Sequence, residues 1–336
     1  MENKKIKPKK SLGLAQRSFK RSLGQNFLRD PKILKKIADS AKIEKTDTVV
    51  EVGPGEGGLT KLLLEQAKKV IAIEKDSEMV LILKDLFEKE IKEGKLEIIE
   101  GDVLNLEPEE SSCSLSTHKI LLNFCSARSL DLRKAHSQDF PLVPASNYVL
   151  VGNIPYYITG ALFKKALEAE NPPKSITFVV QKEVAERIMA RDGKESILSI
   201  SIKVYGKPEY GGIIKAGSFY PKPKVDSGII SVRNINRERF VEVCSEKSLE
   251  PLAKTTPVRA TGVFRKNIPN NNLSRLEQNF FKILKAGFAH KRKLLIKNLA
   301  EMSKLKEIFE KCGISEKVRA EDLKVEDWIA ITKELT

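Results

Sequence analysis

The residues best able to do chemistry fall at the ends of apolar runs. GPGEGG, residues 53–58, follows the β-branched run TVVEV and matches the pattern G-x-G-x-x-G. Glycine at these positions lets the backbone turn tightly and approach a ligand closely. Glu74 ends the next apolar run, 21 residues beyond Gly53, where a carboxylate can bind both hydroxyls of a ribose. Asp102 closes a third run in EGD, placed to accept a hydrogen bond from an adenine amine. Asn153 closes a fourth in VGNIPYYITG, and Ile154, Pro155, Tyr156 and Tyr157 follow it. The Gly-rich turn by itself fits a ligand-free turn, a dinucleotide enzyme or an S-adenosylmethionine (SAM) enzyme. Asp102 and Asn153, each alone, also fit a cap or a turn former.

These residues need elements that present strand ends together. RDPKILKKIADSAKI reads as a helix: Asp30 caps it, Pro31 suits its first turn, and Ile33, Leu34, Ile37, Ala38 and Ala41 share one face. TVVEV, KVIAIEKD and KLEIIEGD then read as strands alternating with the helices GGLTKLLLEQA and SEMVLILKDLFEKE. NYVLVGNIPY and SITFVVQKEV continue the alternation, while GGIIKAGSF and SGIISVRN are joined by a connection too short for a helical crossover and must be antiparallel. The expected fold is α/β: a seven-stranded, mostly parallel sheet with helices on both faces, an antiparallel hairpin at its edge, and ligands at the carboxyl ends of its strands.

Residues 106–146 and 244–274 interrupt this rhythm and read as insertions, long irregular loops being uncommon inside compact domains. From Arg275 the periodicity is helical. The organisation expected is a basic tail over 1–22, a sheet domain over 23–234 and a small helical domain over 235–336. Cys113, His118, Cys125 and His136 lie in the first insertion at spacings that match no zinc pattern, so no metal is expected.

The chain has 336 residues, 41% of them hydrophobic and 31% charged, with a formal net charge of +15. No apolar run approaches the roughly eighteen residues that suggest a membrane span. The four scattered Cys and the lack of a signal-peptide core fit a reducing cytoplasm. Most of the excess charge sits in two places: residues 1–22 hold eight Lys/Arg against Glu2, and 282–297 hold six and no acid. Clustered cations of this kind suit a polyphosphate such as nucleic acid, because neutralising phosphates releases counterions. Solvated surface is the alternative for both segments, and an organellar transit peptide is another for the first, although it is rich in Lys rather than Arg.

SLGQNFLRD, VVEVGPGEGGLT, VIAIEKD, EGDVLNL, VGNIPYYIT, FYPKPKVDSGI and LKAGFAHKRKLL occur in one order along the chain. In that order they resemble the ribosomal RNA adenine N6-dimethyltransferases, over residues 18–336 apart from the insertions. The resemblance implies a Rossmann-like SAM-dependent methyltransferase sheet, a helical RNA-binding C-terminal domain, and a monomer. It implies that SAM is held by Asn26 and Leu28, by Gly53 and Gly55, by Glu74, by Asp102 and by Asn153. It also implies a substrate: two adjacent adenines near the 3′ end of small-subunit rRNA, dimethylated during ribosome biogenesis on an immature small subunit.

That substrate gives NIPY a physical reason. The lone pair of adenine N6 is conjugated into the ring and attacks a methyl group poorly until acceptors draw the amine toward tetrahedral geometry. Asn153 Oδ1 and the Ile154 carbonyl can accept from N6, and Pro155 stiffens the turn that aims them. A base taken from its stack needs an aromatic wall, for which Tyr156 is the candidate, with Phe219 or Tyr220 over the second face and Phe219 preferred. Lys291, Arg292 and Lys293 are read as phosphate contacts, Leu294, Leu295 and Leu299 as core, and His290 as a surface or capping residue. Three rivals stay open: a large-subunit rRNA adenine methyltransferase of the macrolide-resistance type, a non-catalytic ribosome-assembly or transcription factor on the same scaffold, and a NAD-linked oxidoreductase.

Overall fold

The apolar runs are too short to cover themselves, and most of them become strands of one sheet. The structure is a computed structural model that describes residues 24–106, 148–169, 171–249 and 270–336. The expected basic tail 1–22, the Cys and His residues of the first insertion, and residues 250–269 of the second lie outside the described residues.

β1 (Phe27–Leu28) and β8 (Phe219–Tyr220) pair as a short antiparallel ribbon. β2 (Thr48–Val52), β3 (Lys69–Glu74), β4 (Leu96–Glu100), β5 (Tyr148–Asn153) and β6 (Ser175–Gln181) are parallel. β9 (Ser227–Arg233) runs antiparallel between β6 and the edge strand β7 (Lys207–Ile214), giving the order β4-β3-β2-β5-β6-β9-β7. The seven strands and the antiparallel edge are therefore as expected. The run GGIIKAGSF is not one strand, however. A 3-10 turn at Ala216–Ser218, held by Ala216 N–H donating to Asp226 Oδ1 at 2.9 Å, carries Phe219 and Tyr220 out of the large sheet and onto β1.

Alternation along the strands divides the core. Val49, Val70, Ala72, Val149 and Val151 face α1 (Pro31–Ala41), α2 (Gly58–Gln66) and α3 (Ser77–Leu86). The helix expected across SEMVLILKDLFEKE stops at Phe87 and restarts as α4 (Glu88–Lys92), because the Phe87 ring turns inward against the Gly-rich turn at Gly57. Val50, Val52, Ile71, Ile73 and Leu150 face α5 (Thr159–Leu167), with α6 (Lys182–Met189) and α7 (Ile197–Lys203) covering the same side farther along.

The start of α1 follows its sequence. Asp30 accepts from Lys32 N–H at 2.9 Å, Pro31 leads, and Leu34, Ile37, Ala38 and Ala41 are buried, with Ile33 only partly so. Its last carbonyls, on Ser40 and Ala41, accept from the Arg233 guanidinium of β9. The helix is thereby fixed against the sheet at the end remote from Asp30.

The remaining helices are α8 (Glu238–Leu249), α9 (Asn270–Gly287), α10 (Leu295–Asn298), α11 (Leu305–Lys311) and α12 (Val325–Leu335). The second insertion is thus shorter than 244–274. CSEKSL contains no Gly or Pro and continues α8, and α9 begins at Asn270. The C-terminal helices share a core with the sheet: the Tyr205 ring stacks on Phe281 with centroids 6.1 Å apart and lies 5.8 Å from Phe240. Beside it, Glu195 N–H donates to the Glu321 carbonyl at 2.7 Å, and the buried Glu195 carboxylate pairs with Lys203 at 2.7 Å. No helix among the described residues is long and apolar enough to cross a membrane.

Gly287 ends α9 against Trp328 of α12. A Cβ there would stand 2.3 Å from the fully buried indole, which stacks on Phe288 at 5.5 Å. Gly287→Ala is expected to displace that ring and cost about 1–3 kcal/mol, read as a lowered denaturant midpoint together with altered Trp328 fluorescence.

Candidate active site

The chain leaves β2 toward β3 and β4 on one side and returns to β5 on the other, so the sheet changes direction between β2 and β5. A crevice opens at such a switch point, outside the carboxyl ends of the strands. Here it is walled by the turn after β2, the ends of β3, β4 and β5, and a strap formed by residues 24–28. Glu74, Asp102 and Asn153 line it together with Gly53 and Gly55, and so do Asn26, Leu28, Ile154, Pro155 and Tyr156.

The strap is fixed at several points. Gln25 Nε2 donates to Asp76 Oδ2 at 2.7 Å, and Arg29 makes a two-point contact with Glu56 at 2.6 and 2.8 Å while its guanidinium sits 5.3 Å above the Tyr220 ring. Asn153 Nδ2 donates to the Asn26 carbonyl at 2.9 Å. A carbonyl oxygen can only accept, so the amide nitrogen of Asn153 must face it and Oδ1 is turned away as a free acceptor. The Asn26 side chain itself makes a local turn, donating to the Gly24 carbonyl at 3.1 Å.

The Gly-rich turn needs its glycine at Gly55, where φ is +55° and a Cβ would lie 2.9 Å from the Phe27 ring. Gly55 N–H donates to Glu74 Oε2 at 3.1 Å and Asp76 N–H to Oε1 at 2.9 Å. Burial pushes the Glu74 carboxyl up and outweighs these backbone donors, which pull it down. At Asp102 the balance is reversed. Partial burial raises it, but Lys75 Nζ at 2.8 Å on Oδ2, Leu104 N–H at 3.0 Å on Oδ1, and the charges of Lys75 and Lys165 hold it below the usual carboxylate range.

Tyr156 is half-buried, and its hydroxyl shares a 2.7 Å hydrogen bond with Ser227 Oγ of β9. Burial raises its phenol above the ordinary value, the Ser227 hydroxyl opposing it, so the hydroxyl stays neutral. Phe219 is not the second wall in this conformation. It is 4% exposed and packed with Leu28 and Ile229, because it pairs with Leu28 in the β1–β8 ribbon and points to the core. The exposed aromatic of that pair is Tyr220, at 54%.

The sequence from residue 16 to residue 276 matches the family described as ribosomal RNA adenine dimethylase. The chain belongs to that family. Among its relatives, a protein of Dehalococcoides mccartyi (strain CBDB1) named ribosomal RNA small subunit methyltransferase A is 33% identical, covering 92% of this chain and 86% of its own. One of the same name from Alkaliphilus oremlandii (strain OhILAs) is 30% identical, covering 98% and 96%. Of solved structures, a dimethyladenosine transferase from Plasmodium falciparum is 27% identical with a TM-score of 0.55, covering 91% of this chain and 95% of that one. The 23S rRNA methyltransferase ErmE shares the fold, with a TM-score of 0.58 at 23% identity, covering 92% and 99%. As a member of the rRNA adenine dimethylase family the chain is a methyltransferase.

The residues present fit the SAM that this family's chemistry requires. Gly55 leaves room that a side chain would fill, Glu74 sits among backbone donors at the end of β3, and Asp102 is an ionised acceptor just beyond β4. Three further residues line the crevice and escape a reading of strand ends. Lys75 occupies Asp102 Oδ2, so an incoming amine shares or displaces that contact. Tyr157 stands 65% exposed at the rim. Glu51 is 1% exposed, and the polar group facing its carboxyl is the Thr60 hydroxyl. Its signal in the sequence is a single acid inside the apolar run TVVEV.

Lys291, Arg292 and Lys293 lie elsewhere, exposed on a turn between α9 and α10 and not on the helix their spacing suggests. Asn298 Nδ2 braces that turn by donating to the carbonyls of Gly287 at 2.6 Å and His290 at 3.2 Å. His290 is itself exposed. Leu295 and Leu299 are core, but Leu294 precedes α10 and is only partly buried.

Burial pushes Glu51 up to about 8 from an ordinary 4.5, the Glu74 charge adding to the rise and the Thr60 hydroxyl opposing it. Between those values the folded protein holds a proton that the unfolded chain has released, so this group's contribution to stability falls as pH rises. Ligand-free wild type is therefore expected to lose stability relative to Glu51→Gln from about pH 5 to about pH 8, by roughly 3 kcal/mol. Parallel thermal melts of the two proteins across that range check it, and a constant difference would refute it.

Proposed function

We propose that this chain transfers methyl groups from SAM to N6 of two adjacent adenines near the 3′ end of small-subunit rRNA, forming dimethyladenosines on an immature small subunit. The observation that carries the reading is the Asn153 amide. Its nitrogen is held by the Asn26 carbonyl, leaving Oδ1 as a fixed acceptor beside Tyr156 in the crevice that also holds Glu74 and Asp102. The names of the bacterial relatives favour the small subunit.

When bound, SAM supplies a methyl group made electrophilic by its sulfonium. The chain supplies position. Asn153 Oδ1 and the Ile154 carbonyl accept from the two N6 hydrogens and localise the lone pair on nitrogen. Pro155, with φ −56° and ψ 133°, sets the direction of the turn. Tyr156 stacks on the extruded base, and its bond to Ser227 keeps the ring from following the base outward. Asn26, Leu28, Gly53 and Gly55 shape the cofactor cleft, Glu74 meets the ribose, and Asp102 meets the adenine of SAM. No side chain has to remove the amine proton before attack.

Lys291, Arg292 and Lys293 take RNA phosphates from a braced turn in a C-terminal helical unit, residues 235–336. The protein acts as a monomer in the cytoplasm, on RNA and not at a membrane. A large-subunit target remains the competing reading, and a purely assembling role without transfer would leave the aimed Asn153 amide unused.

Labelled SAM incubated with immature small-subunit particles or with large-subunit rRNA, followed by mapping of the label, decides between these. Label is expected on adenine N6 in the small-subunit RNA, and label confined to large-subunit RNA would overturn the proposal. Asn153→Ala is expected to lower single-turnover transfer by about 100- to 1000-fold while RNA binding stays within a few-fold; unchanged transfer removes the role given to Asn153. Replacing Lys291, Arg292 and Lys293 by Gln is expected to flatten the salt dependence of RNA binding by about one unit of log–log slope for each phosphate no longer neutralised.

A further inference from the structure

The β1–β8 ribbon has two faces, and its pairing gives each a different task. Residues directly opposite one another in an antiparallel pair point to the same side. Leu28 lies opposite Phe219, and both are buried in the core. Phe27 lies opposite Tyr220, so these two rings share the other face. Phe27 lines the crevice, where its ring approaches Gly55 of the Gly-rich turn. Tyr220 stands beside Phe27 but is not among the residues that line the crevice, and it is 54% exposed. Its ring is therefore just outside the crevice mouth.

The ring is held there. Arg29, two residues after Phe27, returns to the same face and sets its guanidinium 5.3 Å above the Tyr220 ring. Glu56 of the Gly-rich turn fixes that guanidinium through two contacts. An aromatic ring pinned in this way loses little freedom when a second flat ring stacks on it. The connection after Tyr220, residues 221–226, leads to Ser227, whose Oγ shares the 2.7 Å hydrogen bond with Tyr156. It carries Lys222 and Lys224, both exposed, so the charge around the ring suits a nucleic-acid strand.

Extruding an adenine leaves a gap in its own strand. The nucleotide beside it loses a stacking partner at the same moment, and an aromatic ring can replace that partner whatever the base, because every base has a flat face. Tyr156 meets the extruded base, Phe27 faces the Gly-rich turn and Phe219 is buried, which leaves Tyr220 as the ring at the mouth. We propose that Tyr220, held by Arg29, is the stacking platform for the nucleotide that flanks the extruded adenine. It touches the strand outside the cofactor cleft and not the reacting amine. The inference rests on the reading of this crevice as the place where SAM meets an rRNA adenine.

Immature small-subunit particles whose rRNA carries 2-aminopurine in place of one or the other of the two adenines test it with the full-length protein. This base stacks and fluoresces but has no 6-amino group, so the remaining adenine is the methyl acceptor. Whichever side of the extruded base Tyr220 covers, one of the two placements puts the probe on the platform. In that placement wild type is expected to quench the probe, Tyr220→Ala to lose most of the quenching, and Tyr220→Phe to keep it. On unsubstituted particles Tyr220→Ala is expected to lower kcat/KM for methyl transfer about tenfold, with the affinity for S-adenosylhomocysteine unchanged.

Equal quenching by wild type and Tyr220→Ala in both placements, or a loss of transfer in Tyr220→Phe as large as in Tyr220→Ala, overturns the platform while leaving the methyltransferase site standing. Weakened binding of S-adenosylhomocysteine by Tyr220→Ala overturns it as well, by making the ring part of the cofactor cleft. Failure of wild type to methylate unsubstituted particles overturns the substrate reading itself. Were Tyr220→Ala not to fold, Tyr220→Leu, which keeps apolar bulk without a flat ring, makes the same comparison.

Discussion

One hydrogen bond, from Asn153 Nδ2 to the Asn26 carbonyl, organises most of what surrounds it. It joins the end of a central strand to a strap 127 residues earlier in the chain, and it orients an amide that could otherwise present either of its ends. The strap can stand there because Phe27 and Leu28 pair with Tyr220 and Phe219. Pairing with the strap is in turn why the chain after β7 leaves the large sheet. The same ribbon turns Phe219 into the core and Tyr220 outward, so the aromatic rings that line the crevice are those of Phe27, Tyr156 and Tyr157. Tyr156 is itself tied to β9 through Ser227. The acceptor, the strap and the stacking wall are therefore one construction, spanning β1, β5, β8 and β9.

Charge divides the molecule in a way that suits two ligands of opposite sign. The chain as a whole is strongly positive, at +15, and that field draws in RNA. The crevice runs against it, lined by the carboxyls of Glu51, Glu56, Glu74 and Asp102 with Lys75 as the cation beside them. Three of them differ in state: Asp102 is ionised beside Lys75, Glu74 is balanced between burial and backbone donors, and Glu51 is neutral because its burial outweighs the Thr60 hydroxyl. A ligand with a net positive charge is favoured inside by the same distribution that favours a polyanion outside. The two do not compete, because the basic turn at Lys291–Lys293 lies on another element, braced by Asn298.

How far the sequence could be read depended on whether a feature was set locally. The sheet, the cap at Asp30 and the four strand-end positions were legible because alternation, an Asp-Pro helix start and a Gly-rich turn are short-range signals, and the ordered motifs tied them to a family. Phe219 against Tyr220 was not, since neighbouring residues on a strand point to opposite faces and the pairing partner, β1, lies nearly two hundred residues away. The break after Gly287 was not either. There the carbonyls of Gly287 and His290 are taken by Asn298, eleven and eight residues farther on, a contact that the spacing of the basic run does not reveal. Glu51 was hidden for a further reason. In a strand covered on both faces an acid looks like a tolerated exception, and only the fold shows that its partners across the sheet, Ala72 and Val151, are apolar and that burial outweighs the Thr60 hydroxyl facing it.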